Sequence, residues 1–555
     1  MSRRQTPVKV IPLGGLDGIG KNMTVVEYDQ DLIVIDAGLM FPDDSHPGVD
    51  LILPDYTYIL ENEDKLRAIV ITHGHEDHTG ALPYLLKDLN SKVPIYSSKL
   101  TLELIKGKLA EHNIKMPRFK EVSSGSHVSF GKISVDFFSM THSIPAGFGV
   151  FIRTPEGNIL HTGDFKLDQT PVDGVVCDFD AINHFGKIGV DLMLSDSTNA
   201  PRPGYTPSEL EVGKTLRKVI SSAKQRVFVA SFSSHIHRLQ QVCSAAVDNG
   251  RKVAVTGRSM VTNTKIARDL GYLDIKEEDL IDAFDIKGIP DDKLLVLCTG
   301  SQGEPLSALA RMANGEHKTL SIAKGDTVII SATPVPGNEK AVTHIINSLA
   351  KIGADVWDKS RALVHVSGHA SAEELKLMLC MVKPKYFCPI HGEAVHTRAH
   401  ARLAESVGIA PEYIFITDNG ECLEMLKGEV RWGEPVDSGL VYVDGLRIGD
   451  TDQIVLRDRK KLSEEGIITV VVTTSLKKGT VLDVTIVPRG VSTPENTAEF
   501  LEDARERITR TVKKIKANPN ADDKAVQRAI RESLSGFLWE RQRSRPMIIP
   551  VIMEV

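Results

Sequence analysis

The sequence predicts an α/β fold in several parts, and three observations carry that prediction. Apolar runs of strand length recur from Val8 to Asn199, several of them ending on a histidine or a carboxylate. From about Thr206 to Asp358 helical and strand patterns alternate, as in a doubly wound sheet. Beyond about Gly445 the pattern changes again, to a small α+β unit.

Size and composition narrow the reading before any motif does. A chain of 555 residues implies three or four folding units. With 41% hydrophobic and 25% charged residues it has the balance of a water-soluble globular protein. No apolar h-region follows Met1 to Thr6 and no stretch is long enough to cross a bilayer, so no membrane partner and a cytoplasmic location are expected. Six scattered cysteines without a CxxC pair argue against a disulfide framework and a thiolate zinc site. Any metal must then use His and carboxylate. The net charge of −6 repels a polyanion at long range, so nucleic acid would need a local basic surface.

Val8 to Leu13, Met23 to Tyr28 and Leu32 to Gly38 read as strands, the third carrying Asp36 near its end. The turn Phe41 to Asp50 is acidic. Its Gly48 and Asp50, with Asp444 much later, form a candidate calcium site, although a solvated loop accounts for them equally. The run Leu66 to Thr72 reads as a buried strand delivering His73-Gly74-His75-Glu76-Asp77-His78 to a strand-to-helix loop, with a helix starting at Thr79. Open α/β folds hold ligands at such carboxyl edges. Three imidazoles and a carboxylate at this spacing suit a borderline divalent ion. Ile133 to Phe138 then delivers His142, and Asn158 to Phe165 carries Asp164, both at the same sheet edge.

The series His73-x-His75-x-Asp77-His78, His142, Asp164 resembles the metallo-β-lactamase fold, an αββα sandwich with ligands along one edge. The resemblance implies two zinc ions, with manganese or magnesium as substitutes. One would be held by His73, His75 and His142 and the other by Asp77 and His78, with Asp164 bridging.

Val190 to Asn199 reads as a further strand, carrying Asp196. The alternating segment follows: helices at Ser208 to Ser222, His237 to Asn249 and Glu339 to Ile352, and strands at Arg226 to Ala230, Lys252 to Thr256, Leu294 to Cys298 and Thr327 to Ser331. Metal motifs stop before it and resume after it, which marks an inserted domain. Leu363 to Ala370 reads as a strand and turn before a helix from Ala372 to Met381, and Tyr386 to Ile390 as a strand ending at His391. Asp196, His369 and His391 match the additions that β-CASP nucleases make to this fold. By that resemblance His391 is the seventh ligand, His369 lies near the scissile phosphate, and Asp196 orients a ligand imidazole. Asp77, His369 and Asp196 are then the catalytic set.

HxHxDH, SDSTNA, SFSSHIHR, HVSGHA and PIHGE in one chain with a separate tail resemble the ribonuclease J family, over essentially the whole length. The resemblance implies a zinc-dependent ribonuclease with 5′-to-3′ exonuclease and endonuclease activity on single-stranded RNA, active in mRNA decay and rRNA maturation. Metal-activated hydroxide would attack the phosphodiester in line, and His369 would stabilise the transition state or protonate the leaving 3′ oxygen. Ser233, Ser234, His365, Val366, Ser367, Gly368 and His369 offer the parts of a phosphate cradle, for which a 5′ monophosphate is the preferred occupant. Ser233 and Ser234 serve equally as a helix cap before His237. Two other readings stay open, a metal-dependent DNA nuclease and a non-catalytic RNA-binding scaffold.

The domains are placed at 1–205 and 359–445 for the sandwich, 206–358 for the insertion, 446–463 for a linker and 464–555 for the tail. In the tail, strands are read at Ile467 to Ser475, Val481 to Val487 and Met547 to Met553, and helices at Thr497 to Lys516 and Asp523 to Gln542. Two of its faces are basic, around Arg505, Arg510, Lys513 and Lys514, and around Arg528, Arg531, Arg541 and Arg543. Solvated helix faces explain such runs. The resemblance assigns the tail to assembly of a homodimer or homotetramer.

Overall fold

A computed structural model describes residues 6–555 except 336, 446, 450–452, 476–479, 492–496 and 519–520. Packing divides it into two compact units, one of residues through Phe41 with Leu51–Val441, the other of Pro42–Asp50 with Tyr442–Val555.

The first unit contains a sandwich of two sheets. One has eight strands in the order Glu429–Trp432, Leu423–Leu426, Val8–Gly14, Met23–Tyr28, Asp31–Ile35, Leu66–Val70, Pro94–Ser97 and Arg118–Glu121. The other has six, in the order Tyr386–Ile390, Leu192–Asp196, Gly157–His161, Gly147–Thr154, Ile133–Met140 and His127–Phe130. Alternation along these strands sends Val8, Val10, Val26, Ile33 and Val70 from the first and Val135, Phe137, Val150, Ile152 and Leu194 from the second into one shared core. The opposite face of the six-stranded sheet packs Phe138, Phe151 and Phe387 against Ile182 and Phe185 of the helix Phe179–Ile188 and Leu375 and Leu379 of the helix Ala372–Val382. Helices outside two facing sheets give the αββα arrangement. Leu66–Val70 is nearly uniformly apolar because parallel neighbours flank it on both sides.

The chain leaves this sandwich after Leu192–Asp196 and builds a separate parallel sheet in the order Leu280–Asp282, Lys252–Thr256, Leu294–Cys298, Val227–Ala230, Thr327–Ile330, Asp355–Trp357. Buried apolar clusters lie on both of its faces, the first centred on Leu216, Leu239 and Val242, the second on Leu309, Ile345 and Leu349. Helices on both sides of a parallel sheet make it doubly wound.

In this first unit two details depart from the expected elements. The six-residue motif is not all loop, since Glu76–Thr79 is a short helix following His75, and the Thr79 hydroxyl donates to the His75 carbonyl at 2.8 Å. Leu363 to His365 joins no sheet, because the Val364 carbonyl is taken by a guanidinium and a serine hydroxyl instead of a neighbouring strand.

In the second unit a sheet ordered Val481–Arg489, Ile467–Thr474, Met547–Glu554 carries the helices Thr497–Lys516 and Asp523–Gln542 on one face. Val470, Val472, Val484, Ile508, Ile530 and Leu534 are its core. Of the expected linker 446–463, residues 446 and 450–452 lie outside the described residues, and Gln453–Glu465 is a helix rather than an irregular connection. The helix buries Leu456 alone, which is why its charged sequence reads as a spacer.

Gly48, Asp50 and Asp444 all lie in this unit, two of them against a guanidinium and the third against a backbone N–H. Arg459 donates to the Gly48 carbonyl at 3.0 Å and pairs with the Asp444 carboxylate, while Asp50 accepts from the Gly445 N–H at 2.7 Å. Arg459 thus meets two of the three groups that the sequence offers to calcium, and the Asp50 carboxylate is met by a backbone N–H.

Candidate metal centre

Asp36, Asp196 and the seven candidate ligands are delivered by strand ends on one edge of the sandwich. Asp36 follows Asp31–Ile35, the His73 to His78 segment follows Leu66–Val70, and His142 follows Ile133–Met140. Asp164 follows Gly157–His161, Asp196 closes Leu192–Asp196, and His391 follows Tyr386–Ile390. The last three strands run parallel, so their carboxyl ends coincide.

Three overlapping groups of candidate ligands result among the described residues, the third being Asp164, Asp196, His369 and His391. His73, His75 and His142 form the first, with His75 Nδ1 lying 3.1 Å from both His73 Nε2 and His142 Nε2. Asp77, His78, Asp164 and His391 form the second, with separations of 3.2 Å for His78 to Asp164, 3.4 Å for His391 to Asp77 and 3.6 Å for His78 to Asp77. Ligand atoms of a tetrahedral ion with bonds of about 2.0–2.1 Å stand roughly 3.3 Å apart, so both groups fit one. Asp164 Oδ2 lies between them, 3.8 Å from His73 Nε2, 3.9 Å from His142 Nε2 and 3.8 Å from His391 Nε2. One oxygen thus lies close to imidazoles of both groups.

The electrostatics prepare these groups for a cation. Burial and the neighbouring imidazoles push His73 and His142 well below the usual histidine range, and burial takes His75 down to about 4. These three present neutral lone pairs at neutral pH. Burial opposes the charges of Asp77 and Asp164, but the surrounding histidines outweigh it and hold both carboxylates ionised. His78 and His391 behave oppositely. Burial would lower them, yet the facing carboxylates raise His78 well above its ordinary value and His391 to about 10. Metal must displace protons there, so binding releases them.

A supporting layer orients the ligands. Asp36 Oδ2 lies 2.7 Å from His78 Nδ1, and Oδ1 accepts from the Thr72 N–H at 2.7 Å. Asp36 holds a left-handed backbone with φ of 61°, strain tolerated because its N–H donates to Val70 at 2.8 Å. The Gly368 carbonyl lies 2.7 Å from His142 Nδ1. Asp196 touches two rings, His369 Nδ1 at 2.8 Å and His391 Nδ1 at 3.4 Å. Thr198 Oγ1 donates to Asp196 at 2.7 Å and lies 2.6 Å from His391 Nδ1. Such contacts set the tautomer and direction of a ligating imidazole.

The structure therefore brings together His73, His75, Asp77, His78, His142, Asp164 and His391, with Asp196 and His369 beside them. His369 stacks on His391 at 5.4 Å between ring centroids. Ser367 Oγ accepts from Asn199 Nδ2 at 2.8 Å and from the His369 N–H at 3.2 Å. The SFSSHIHR turn comes to the same loop through His235, whose ring lies 6.3 Å from that of His365. Neither Ser233 nor Ser234 caps the following helix. Ile236–Asp248 is capped by His235, whose Nδ1 accepts from the Arg238 N–H at 3.4 Å, and Ser233 Oγ accepts instead from Asn263. Sequence reasoning assigned no role to Asp36, Thr198 and Asn199, although Asp36 near a strand end and Thr198 in SDSTNA were the available signals.

A buried His and Asp cluster at the edge of an αββα sandwich that carries a doubly wound insertion defines a metallo-β-lactamase-type metal-dependent hydrolase. Family models agree: metallo-beta-lactamase superfamily at residues 16–231, Ribonuclease J beta-CASP domain at 224–349, Zn-dependent metallo-hydrolase RNA specificity domain at 359–414 and Ribonuclease J C-terminal domain at 454–555. Ribonuclease J of Thermus thermophilus is 44% identical over 99% of this chain and 96% of its own, and Ribonuclease J2 of Bacillus subtilis 42% identical over 100% of both. The chain belongs to the ribonuclease J family. A crystal structure of a protein of unknown function from Enterococcus faecalis shares the fold, with a TM-score of 0.54 at 15% identity over 76% of this chain and all of that one.

Proposed function

We propose that this metal-dependent ribonuclease holds two zinc ions, one on His73, His75 and His142 and one on Asp77, His78 and His391, with Asp164 shared. The observation that carries the reading is the single Asp164 oxygen lying 3.2–3.9 Å from imidazole nitrogens of both ligand groups. Ions held by these residues would supply hydroxide at neutral pH and neutralise charge on the phosphoryl oxygens. Asp196 holds His369 by its Nδ1, which leaves the other ring nitrogen free to meet a phosphoryl or leaving oxygen. Burial opposes a charge on His369, but the Asp196 carboxylate outweighs it and raises its pKa above the ordinary histidine value.

The substrate is single-stranded RNA, degraded 5′ to 3′ from a monophosphorylated end and also cut internally, with roles in mRNA decay and rRNA maturation. His365, Val366, Ser367, Gly368 and His369, together with Ser233 and Ser234, form the phosphate cradle. The complete ligand set speaks against a scaffold without catalysis. Domain limits of 1–205, 206–358, 359–445 and 464–555 follow on the same reading. Six free cysteines support a reducing, cytoplasmic setting, and among the described residues no helix is long and apolar enough to cross a membrane.

The C-terminal unit would assemble the chain into a homodimer or homotetramer. Ile549, Val551 and Met553 are 40%, 38% and 50% exposed on the sheet face away from the helices. That face is the reading's support.

Turnover of matched single strands at one salt concentration tests the whole: 5′-monophosphorylated RNA, 5′-triphosphorylated RNA and DNA. Monophosphorylated RNA should be degraded fastest, with the preference lost in Ser367→Ala. Equal rates for mono- and triphosphate would sink the cradle, and equal or faster DNA cleavage would establish the DNA-nuclease reading instead.

A further inference from the structure

The loop Val364 to His369 lies between the inserted domain and the metal cluster without belonging to any sheet, so something else must fix its position. At its distal end side chains outside the loop hold it. Asn199 Nδ2 donates to Ser367 Oγ and to the His369 carbonyl at 2.9 Å, Thr206 Oγ1 donates to that carbonyl at 2.7 Å, and the Gly368 carbonyl meets His142.

The proximal end rests on one buried cation. Arg238, wholly buried, donates from Nη1 to the Val364 carbonyl at 2.7 Å, and Ser331 Oγ donates to the same oxygen at 2.7 Å. Arg238 also donates to Ser331, and its Nε reaches Glu209 Oε1 at 2.8 Å, where Nη2 makes a second bond. Glu209 is 4% exposed and opens the helix Glu209–Ser222, Arg238 lies in the helix Ile236–Asp248, and Ser331 follows the strand Thr327–Ile330. Three elements of the inserted domain thus converge, through one guanidinium, on one carbonyl of the loop. A planar fork is the side chain that bonds a carboxylate, a hydroxyl and a carbonyl at once.

We infer that Arg238 is a positioning residue for RNA: it holds Val364 to His369 in register between the inserted domain and the metals, so the inserted domain sets the loop geometry. The inference rests on the reading that this loop binds substrate phosphate. Removing the guanidinium outright would leave Glu209 buried without its partner, and such a variant would misfold. Arg238→Lys keeps a charge for Glu209 but lacks the fork, and Ser331→Ala removes the second donor without changing charge.

The test compares these two with Ser367→Ala in the full chain, reading metal content by mass spectrometry and kcat and KM on 5′-monophosphorylated single-stranded RNA. Arg238→Lys should raise KM at least about tenfold with kcat within about threefold and metal content unchanged, and Ser331→Ala should raise KM about threefold. A purely structural role would lower the active fraction, and so the apparent kcat, without moving KM. That result would overturn the inference. A raised KM in Ser367→Ala alone would also overturn it while leaving the loop as a binding element. Unchanged KM in all three would overturn it together with the phosphate-loop reading.

Discussion

The Nδ1 of His142 lies 2.7 Å from the carbonyl oxygen of Gly368, across 226 positions of chain. This contact ties the first metal group to the loop expected to bind RNA, and a glycine is needed for it. A Cβ at residue 368 would come within 2.6 Å of His142 Cε1 and 2.8 Å of its Nδ1. Gly368→Ala should therefore rotate the ring and cost about 10- to 100-fold in metal affinity or activity. Metal titration followed by RNA turnover checks it, and a variant with full affinity would show that the ring has slack.

On the proposed reading Asp164 is shared between two ions, so Asp164→Ala should abolish cleavage and lower bound metal. The sandwich should still fold, since its core of apolar side chains from both sheets does not include this carboxylate. Circular dichroism with metal analysis separates the two effects. Full activity would remove Asp164 from the centre.

Acid stability should depend on His400. The residue is fully buried, its Nδ1 is 3.0 Å from Ser197 Oγ, its Nε2 meets no hydrogen-bond partner among the described residues, and burial pushes its pKa down to about 3. An unfolded histidine titrates near roughly 6.5. Between those values the unfolded chain binds the extra proton, so this contribution to stability is complete above about pH 6.5 and declines as pH falls. From pH 6.5 to 5 the loss is about 2 kcal/mol. His400→Gln should show a smaller fall in Tm across that window than the parent. Parallel curves would mean that the site does not control the acid limb.

Removing residues after Gly445 should reduce the oligomer mass while sparing the seven proposed ligands, all of which lie upstream. Val551→Glu, which places a charge on the open sheet face, should do the same without truncation. Light scattering at one protein concentration decides, and an unchanged mass in both would put the interface elsewhere.

Much of the centre could be read in the sequence because metal ligands are scarce residue types set at strand ends, and strand ends follow from apolar runs. His73, His75, Asp77 and His78 announce themselves by spacing, and His142, Asp164 and His391 by the strands before them. The doubly wound insertion was equally visible, since parallel strands buried on both faces have no polar alternation to confuse with helix. Tertiary structure alone decided the partners. Asp36 meets His78, Thr198 meets His391, and Arg459 meets the Gly48 carbonyl, because each contact joins segments distant in sequence whose approach is set by the packing of the sheets and helices that carry them. The same reason hid the state of Leu363 to His365. Its composition is that of a strand, but the bond acceptor that would have completed a ladder was claimed by Arg238, a residue whose place beside it only the folded chain determines.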